Sequence, residues 1–300
     1  MEHAMETLKA SVLPLLLAAQ QHELNEYELF RRMAKKEKDP GNRKVLHTFA
    51  NSEHSHYEKI KSFTGHDLKP QLFLIWVWNF LSTLLGITFT VKFLEKIENR
   101  NVAKLYALAD LHHYDLQTSP IGDLLEEEES AESILIKDID EERLEYMGSI
   151  VLGMNDALVE LTGALAGFTF AFQNNQLIAV TGLITGLSAT LSMAASEYLS
   201  TRQEGGKDAI KSSIYTGLAY VLTVVFLIAP YLVLSNPFVS LGLSLLIGVF
   251  IIIAFTFYSS ITNDHPFTSR FLEMAGISLG VAGISFFIGF LLKMVIGVDI

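Results

Sequence analysis

Asp156 and Glu160 lie in the apolar run Ser149–Phe172. They are one helical turn apart and so share a face. Ionisable groups at membrane depth are costly and mark ion or proton paths. Gly153, Asp156, Glu160, Gly163 and Gly167 recur at three- and four-residue steps, a small and polar stripe on an otherwise apolar helix. A second apolar run, Leu177–Leu199, has a stripe of Gly182, Gly186, Ala189, Met193 and Ser196 or Glu197. Met193 and Glu197 share its last face. A thioether beside carboxylates suits a transition metal better than sodium or calcium. The plainer readings are that Met193 fills a packing gap, Glu197 reaches the interface and Glu160 pairs with a neighbouring helix.

Carboxylates recur in the N-terminal half, again where apolar periodicity predicts core. Val12, Leu16, Ala19, Glu23, Tyr27, Phe30 and Ala34 share one helical face. Val45, Phe49, Glu53, His56, Ile60 and Phe63 share a second, and Thr88, Val91, Glu95, Glu98, Val102, Tyr106 and Ala109 a third. Ile121, Leu125, Glu128, Ala131 with Glu132 beside it, and Leu135 form a fourth. An amphipathic helix is apolar along its buried stripe, so the same exception on four helices points to a shared cation. Di-iron and di-manganese bundles take one Glu from each of two helices and a Glu-x-x-His from each of the other two. Glu23 and Glu95 fit the single positions, and Glu53 with His56 fits one paired position. The fourth segment offers Glu128 but places Ala131 where the second His belongs. Glu132, Glu26 and Glu98 are the nearby substitutes. Two readings stay open: an asymmetric metal site, or a site that binds without redox chemistry. The remaining His residues, His22 among them, read as solvated surface.

These residues imply two kinds of scaffold. Half of the 300 residues are apolar, yet from Ser149 onward only five are Lys or Arg. The N-terminal part holds most of the net charge of -11 and eight of the nine His. The expected fold is all-α, with a four-helix bundle over residues 1–145 and five spans over residues 146–300. The spans are read at Ser149–Phe172, Leu177–Leu199, Ile214–Leu234, Phe238–Ile261 and Met274–Ile296, each near the ~20 residues a bilayer requires. The acidic balance argues against a nucleic-acid partner. There is no Cys, which excludes disulfides and thiolate metal sites. No cleavable signal pattern is expected at the N-terminus. Leu72–Val91 is uncharged and long enough to span. A span there would put Glu23 and Glu53 across the membrane from Glu95 and Glu128, so a non-spanning reading is preferred. Trp76 and Trp78 would then mark a membrane surface, and Leu84–Ala109 would be the third bundle helix.

The motifs LGMNDALVELTGALAGFTFA and SMAASEYLS resemble the vacuolar iron transporter family, and the likeness continues through YTGLAYVLTVVFLIAPYL to the C-terminus. The N-terminal half resembles a rubrerythrin/ferritin-like domain. Together they resemble the membrane-bound ferritin-like transporters of prokaryotes. That resemblance implies a five-span homodimer in a prokaryotic cell membrane, moving Fe2+, and often Mn2+, out of the cytosol against protons. It places the family's path Asp and Met on Asp156 and Met193. The Glu-rich insert that eukaryotic members carry between the second and third spans is absent, since Thr201–Ser213 alone forms this link.

The expected function is thus a metal exporter with a ferritin-like domain that captures its cargo. Capture falls to Glu23, Glu26, Glu53, His56, Glu95, Glu98, Glu128 and Glu132 around a di-iron site. Asp156, Glu160, Met193 and Glu197 form the path. Enzymatic activity is left open: the rivals are a membrane-anchored ferroxidase or peroxide-consuming di-iron protein, and a sensor or storage module. Topology follows from loop charge. Gln173–Gln176 and Ser235–Pro237 carry none, whereas Thr201–Ser213 holds Arg202, Lys207 and Lys211, and Arg270 precedes the last span. The positive-inside rule puts the basic loops and the N-terminal domain in the cytoplasm and the C-terminus outside. A Cys introduced in Gln173–Gln176 should react with an impermeant thiol reagent added to intact cells, while one at Gly65 or Gly205 should not. External labelling at Gly65 would overturn this orientation.

Overall fold

The computed structural model describes residues 2–111, 136, 138–205 and 208–296, which are helical with short links and contain no strand. The chain divides into two compact units, Met1–Glu141 and Glu142–Ile300.

In the first unit, α1 (Glu2–Lys36) packs against α2 (Pro40–Thr64), followed by α3 (Leu72–Leu85) and α4 (Ile87–Leu111). Asp39 starts α2, its side chain accepting from the Asn42 N–H at 2.8 Å, with Pro40 in the first turn where no donor is needed. Gly65 ends α2 in the left-handed conformation that glycine adopts without strain. The core interleaves Leu29, Phe30, Met33 and Ala34 of α1 with Leu46, Phe49 and Ala50 of α2, and adds Ile75, Val91 and Leu94. Phe63, assigned to the inner face of α2, is instead 47% exposed in its last turn.

The break between α3 and α4 falls at Gly86, whose φ of 104° no helix accommodates. The third long helix therefore starts at Ile87, not Leu84. At 14 residues α3 is about 21 Å long, short of the ~30 Å hydrocarbon core. Its two Trp residues separate: Trp76 is exposed and stacks with Phe73 and Phe80, whereas Trp78 packs on Phe93 at 5.5 Å. Glu141 caps α4, accepting from the N–H groups of Ile87 at 3.2 Å and Thr88 at 3.0 Å. A carboxylate there satisfies two orphan donors and meets the positive end of the helix dipole. Next to it, buried Asn42 donates to the Asp140 carbonyl at 2.7 Å and accepts from the Asp140 N–H at 2.9 Å. The fourth bundle segment expected over Ile121–Leu135, with Glu128, Ala131 and Glu132, lies outside the described residues.

The second unit contains α5 (Met147–Phe172), α6 (Asn175–Gln203), α7 (Ala209–Val233), α8 (Pro237–Thr262) and α9 (Phe267–Ile296). All five are long and apolar enough to cross a membrane, and the protein is an integral membrane protein. Leu158, Leu161 and Leu165 of α5 pack at the centre with Ile178, Tyr220, Val224 and Leu227. Glycines set how closely the helices approach. A Cβ on Gly153 would collide with the Thr216 carbonyl of α7, and one on Gly163 would lie 2.8 Å from Ser285 Oγ of α9. Gly182 and Gly186 face Ile228 and Val224 of α7. The small-residue stripe of α5 therefore serves two neighbours in succession.

Replacing Gly153 by Leu should lower the thermal midpoint in detergent by the equivalent of about 1–3 kcal/mol or more, the usual cost of overpacking. Gly242, whose added Cβ would touch nothing within 4 Å, should tolerate the same change. Equal midpoints for the two variants would show that α5 and α7 do not meet at Gly153.

Candidate functional site

In the first unit the sequence-predicted ligands converge in two clusters. Glu23 of α1 meets Glu53 and His56 of α2, with ligand atoms within 4.8 Å of one another. All three side chains are buried, and Glu53 completely. His56 Nδ1 lies 3.6 Å from Glu53 Oε2 and 3.7 Å from Glu23 Oε2. Its Nε2 faces Ser52 Oγ at 3.4 Å, the kind of contact that orients a ligating imidazole. Neither oxygen of Glu53 has a hydrogen-bond partner among the described residues. A buried carboxylate left this way is costly, and a divalent cation is the partner that two carboxylates and an imidazole suit. The i, i+3 spacing of Glu53 and His56 brings both to the α1 side of α2.

His22, Glu26 and Glu98 form the second cluster, also within 4.8 Å. His22 Nδ1 lies 2.9 Å from Glu26 Oε1 one turn along α1. Sequence reasoning left His22 at the surface; the available signal was its spacing of four from a Glu on a helix already carrying Glu23. Glu95 is half-buried on α4 and belongs to neither cluster. Near the C-terminal end of α2, Asp67 accepts from Lys61 at 2.8 Å and from Tyr57 at 2.9 Å. The Lys61 ammonium, then the Tyr57 hydroxyl, hold the Asp67 carboxyl below its ordinary range.

In the second unit the path residues are placed separately. On α5, Asp156 is half-buried and Glu160 is exposed. The fully buried Tyr220 of α7 donates its hydroxyl to Glu160 Oε2 at 2.9 Å. Met193 packs against the apolar core. Glu197 accepts from Ser149 at 2.8 Å, from Thr201 at 3.4 Å and from Ser212. Its carboxylate thus joins α5, α6 and α7. None of these four residues enters either His/carboxylate cluster. Apolar periodicity carried no signal for Tyr220, Ser149 or Ser212, since Tyr and Ser are ordinary core and small-residue choices in a span.

Residues 147–207 match the VIT family model. The matched segment takes in α5, α6 and the start of the following link, and with them Asp156, Glu160, Met193 and Glu197. No curated protein and no solved structure matches the chain. A cavity of about 490 Å3 opens between α5, α8 and α9, bordered by Asn155, Ser259, His265, Arg270 and Glu273. Arg270 and Glu273 pair at 3.2 Å on its rim.

If the Glu23–Glu53–His56 cluster binds a divalent cation, that cation stabilises the folded state by mass action. Adding Mn2+ to chelator-treated protein should then raise the thermal midpoint. Glu53→Gln should cancel that rise while leaving the metal-free protein no less stable, because Gln keeps the volume and removes a buried charge. A full Mn2+-dependent rise in Glu53→Gln would exclude Glu53 as a ligand.

Proposed function

We propose that this protein is a divalent-metal transporter that exports Fe2+, with Mn2+ as an alternative cargo, and that its first unit captures the metal in the cytosol. The observation that carries the reading is the pair Asp156 and Glu160, two carboxylates on a span that lies within the VIT match. An anchor has no use for them, because each adds several kcal/mol of cost at membrane depth. A dehydrating divalent cation does, because negative charge in a low-dielectric path offsets the water it loses.

Each residue then has a role. Asp156 and Glu160 offer the anionic ligands, with Tyr220 holding Glu160 in place. Met193 adds a soft donor that favours transition metals over calcium or sodium. Glu197, tied by hydroxyls, stands at the end of α6 that bears Arg202, which loop charge assigns to the cytoplasm. The exposure of Glu160 supports a homodimer in which a second copy completes the path. Exchange with protons would use Asp156 or Glu160, the carboxylates able to accept a proton once the cation leaves. The buried Glu23–Glu53–His56 set supports capture, with Glu95 and the segment bearing Glu128 and Glu132 as further ligands.

A second reading rests on one observation. The Glu53/His56 pair faces Glu23 as it does in oxidising di-metal bundles, so the first unit would act as a ferroxidase anchored by the spans. Oxygen consumption on adding Fe2+ to purified protein, without flux, would favour it.

Uptake of Fe2+ or Mn2+ into proteoliposomes, with and without a pH gradient, tests the transport reading. Asp156→Asn should reduce flux to background with the fold intact, since Asn keeps size and hydrogen bonding and loses only the charge. Met193→Leu should reduce flux more mildly, about tenfold or less, while preserving packing. Wild-type rates in Asp156→Asn would assign the carboxylates a structural role.

A further inference from the structure

We infer that the outer face of α3 is a membrane-docking surface, seated in the plane of a phospholipid leaflet where headgroups meet acyl chains. Such docking requires only that the chain be an integral membrane protein, and it stands whether or not the first unit binds metal.

The composition of α3 is the starting point. None of its 14 residues is charged, and apolar side chains run round the whole helix. A helix that is apolar on every side has to be covered on every side. Protein covers one of them: Ile75 and Ser82 are buried, Trp78 packs on Phe93, and the helix lies against α1 and α4. The other side carries Leu72, Phe73, Trp76 and Phe80, at spacings of three and four residues. Phe73 is 78% exposed, Trp76 59% and Phe80 56%. Their rings stack in sequence at 6.4 and 6.1 Å, so the surface is a contiguous aromatic strip. Strips of this kind mark a protein or membrane contact, unlike single apolar residues scattered over a surface.

A leaflet is the occupant that fits. Five spans give this molecule a bilayer of its own. At about 21 Å, α3 is too short to cross the ~30 Å hydrocarbon core but long enough to lie along its boundary. Interfacial helices bury one apolar face there, and Trp prefers that depth. Lys69, exposed just before the helix, adds an ammonium that lipid phosphates can meet. A second copy is the poorer occupant. A helix face about 21 Å by ~10 Å offers roughly 200 Å2, against the ~800 Å2 per partner of a stable interface. Of the four outward side chains only the Trp76 indole can hydrogen-bond, which leaves little to fix a protein register. At a leaflet boundary the headgroups satisfy that N–H.

The chain provides its own probes, because its only two Trp residues are Trp76 and Trp78 and it has no Cys. Full-length protein is placed in nanodiscs of phosphatidylcholine and phosphatidylglycerol, with or without bromine on the acyl chains. In Trp78→Phe, which keeps Trp76, brominated lipid should remove most of the emission and aqueous iodide should remove little. In Trp76→Phe, which keeps Trp78, brominated lipid should have a much smaller effect. Nitroxides on Phe73→Cys and Phe80→Cys, in the chain with both Trp residues, then report depth. Both should be broadened by oxygen dissolved in the lipid more than by a water-soluble nickel chelate, a result that holds the test open if Trp78→Phe fails to fold. The two labels should lie at similar depth, whereas a helix pointing into the bilayer would separate them by about 10 Å over seven residues. That separation would overturn the in-plane seat. Quenching of Trp76 by iodide and not by bromine would place the face in water and overturn the inference. Protection from both quenchers would mean that protein covers the face, a second copy included, and would overturn it equally.

Discussion

A carboxylate in an apolar, low-dielectric setting must be given hydrogen bonds, an opposite charge or a cation, and this chain places several there. Each receives a different answer. Glu197 is surrounded by the hydroxyls of Ser149, Thr201 and Ser212. Glu160 takes the hydroxyl of Tyr220, a residue otherwise sunk in the core. Glu53 has no hydrogen bond among the described residues, only the edge of His56 at 3.6 Å. The graded supply of partners separates residues held by protein hydroxyls from Glu53, to which the proposed reading assigns a cation.

Delivering those partners dictates the packing. Glu197 can join α5, α6 and α7 only because α7 comes close enough to α5 for the Thr216 backbone to lie against Gly153. Thr216 Oγ1 also donates to the Ser149 carbonyl at 3.1 Å, fixing the same register. Lipid tails offer no hydrophobic drive between spans, so close contact and hydroxyl bonds carry this association. In the first unit the core is formed by Phe30, Leu46, Phe49 and their neighbours. That core holds α1 against α2 firmly enough for Glu23 and His56 to face each other.

The two units call for different ligand chemistry on the proposed reading. Capture from a dilute cytosolic pool requires several strong ligands at once, which buried carboxylates with imidazoles provide. Transit requires ligands that also let go, which suits separate groups such as Asp156, Glu160 and Met193 spaced along two helices. A single deep cage in the membrane would bind its cargo too tightly to release it.

Much of this was determined by sequence. The length and apolarity of five runs set the spans, because a bilayer enforces both. Glu23, Glu53 and His56 stood out because a charged residue breaks an apolar period of 3.6, and period is local information. Partnership is not local. His22 sits on the same helix as Glu23, but only the approach of α4 with Glu98 distinguishes it from a surface histidine. Tyr220 is sixty residues from Glu160, and nothing in its own span marks it as more than a core aromatic. The split of the α5 stripe between α7 and α9, the exposure of Phe63 and the break at Gly86 depend likewise on which neighbours crowd each face and on backbone angles. A sequence fixes which residues can lie together on one element; the folded packing decides which elements meet, because contact depends on distances between helices that no single helix specifies.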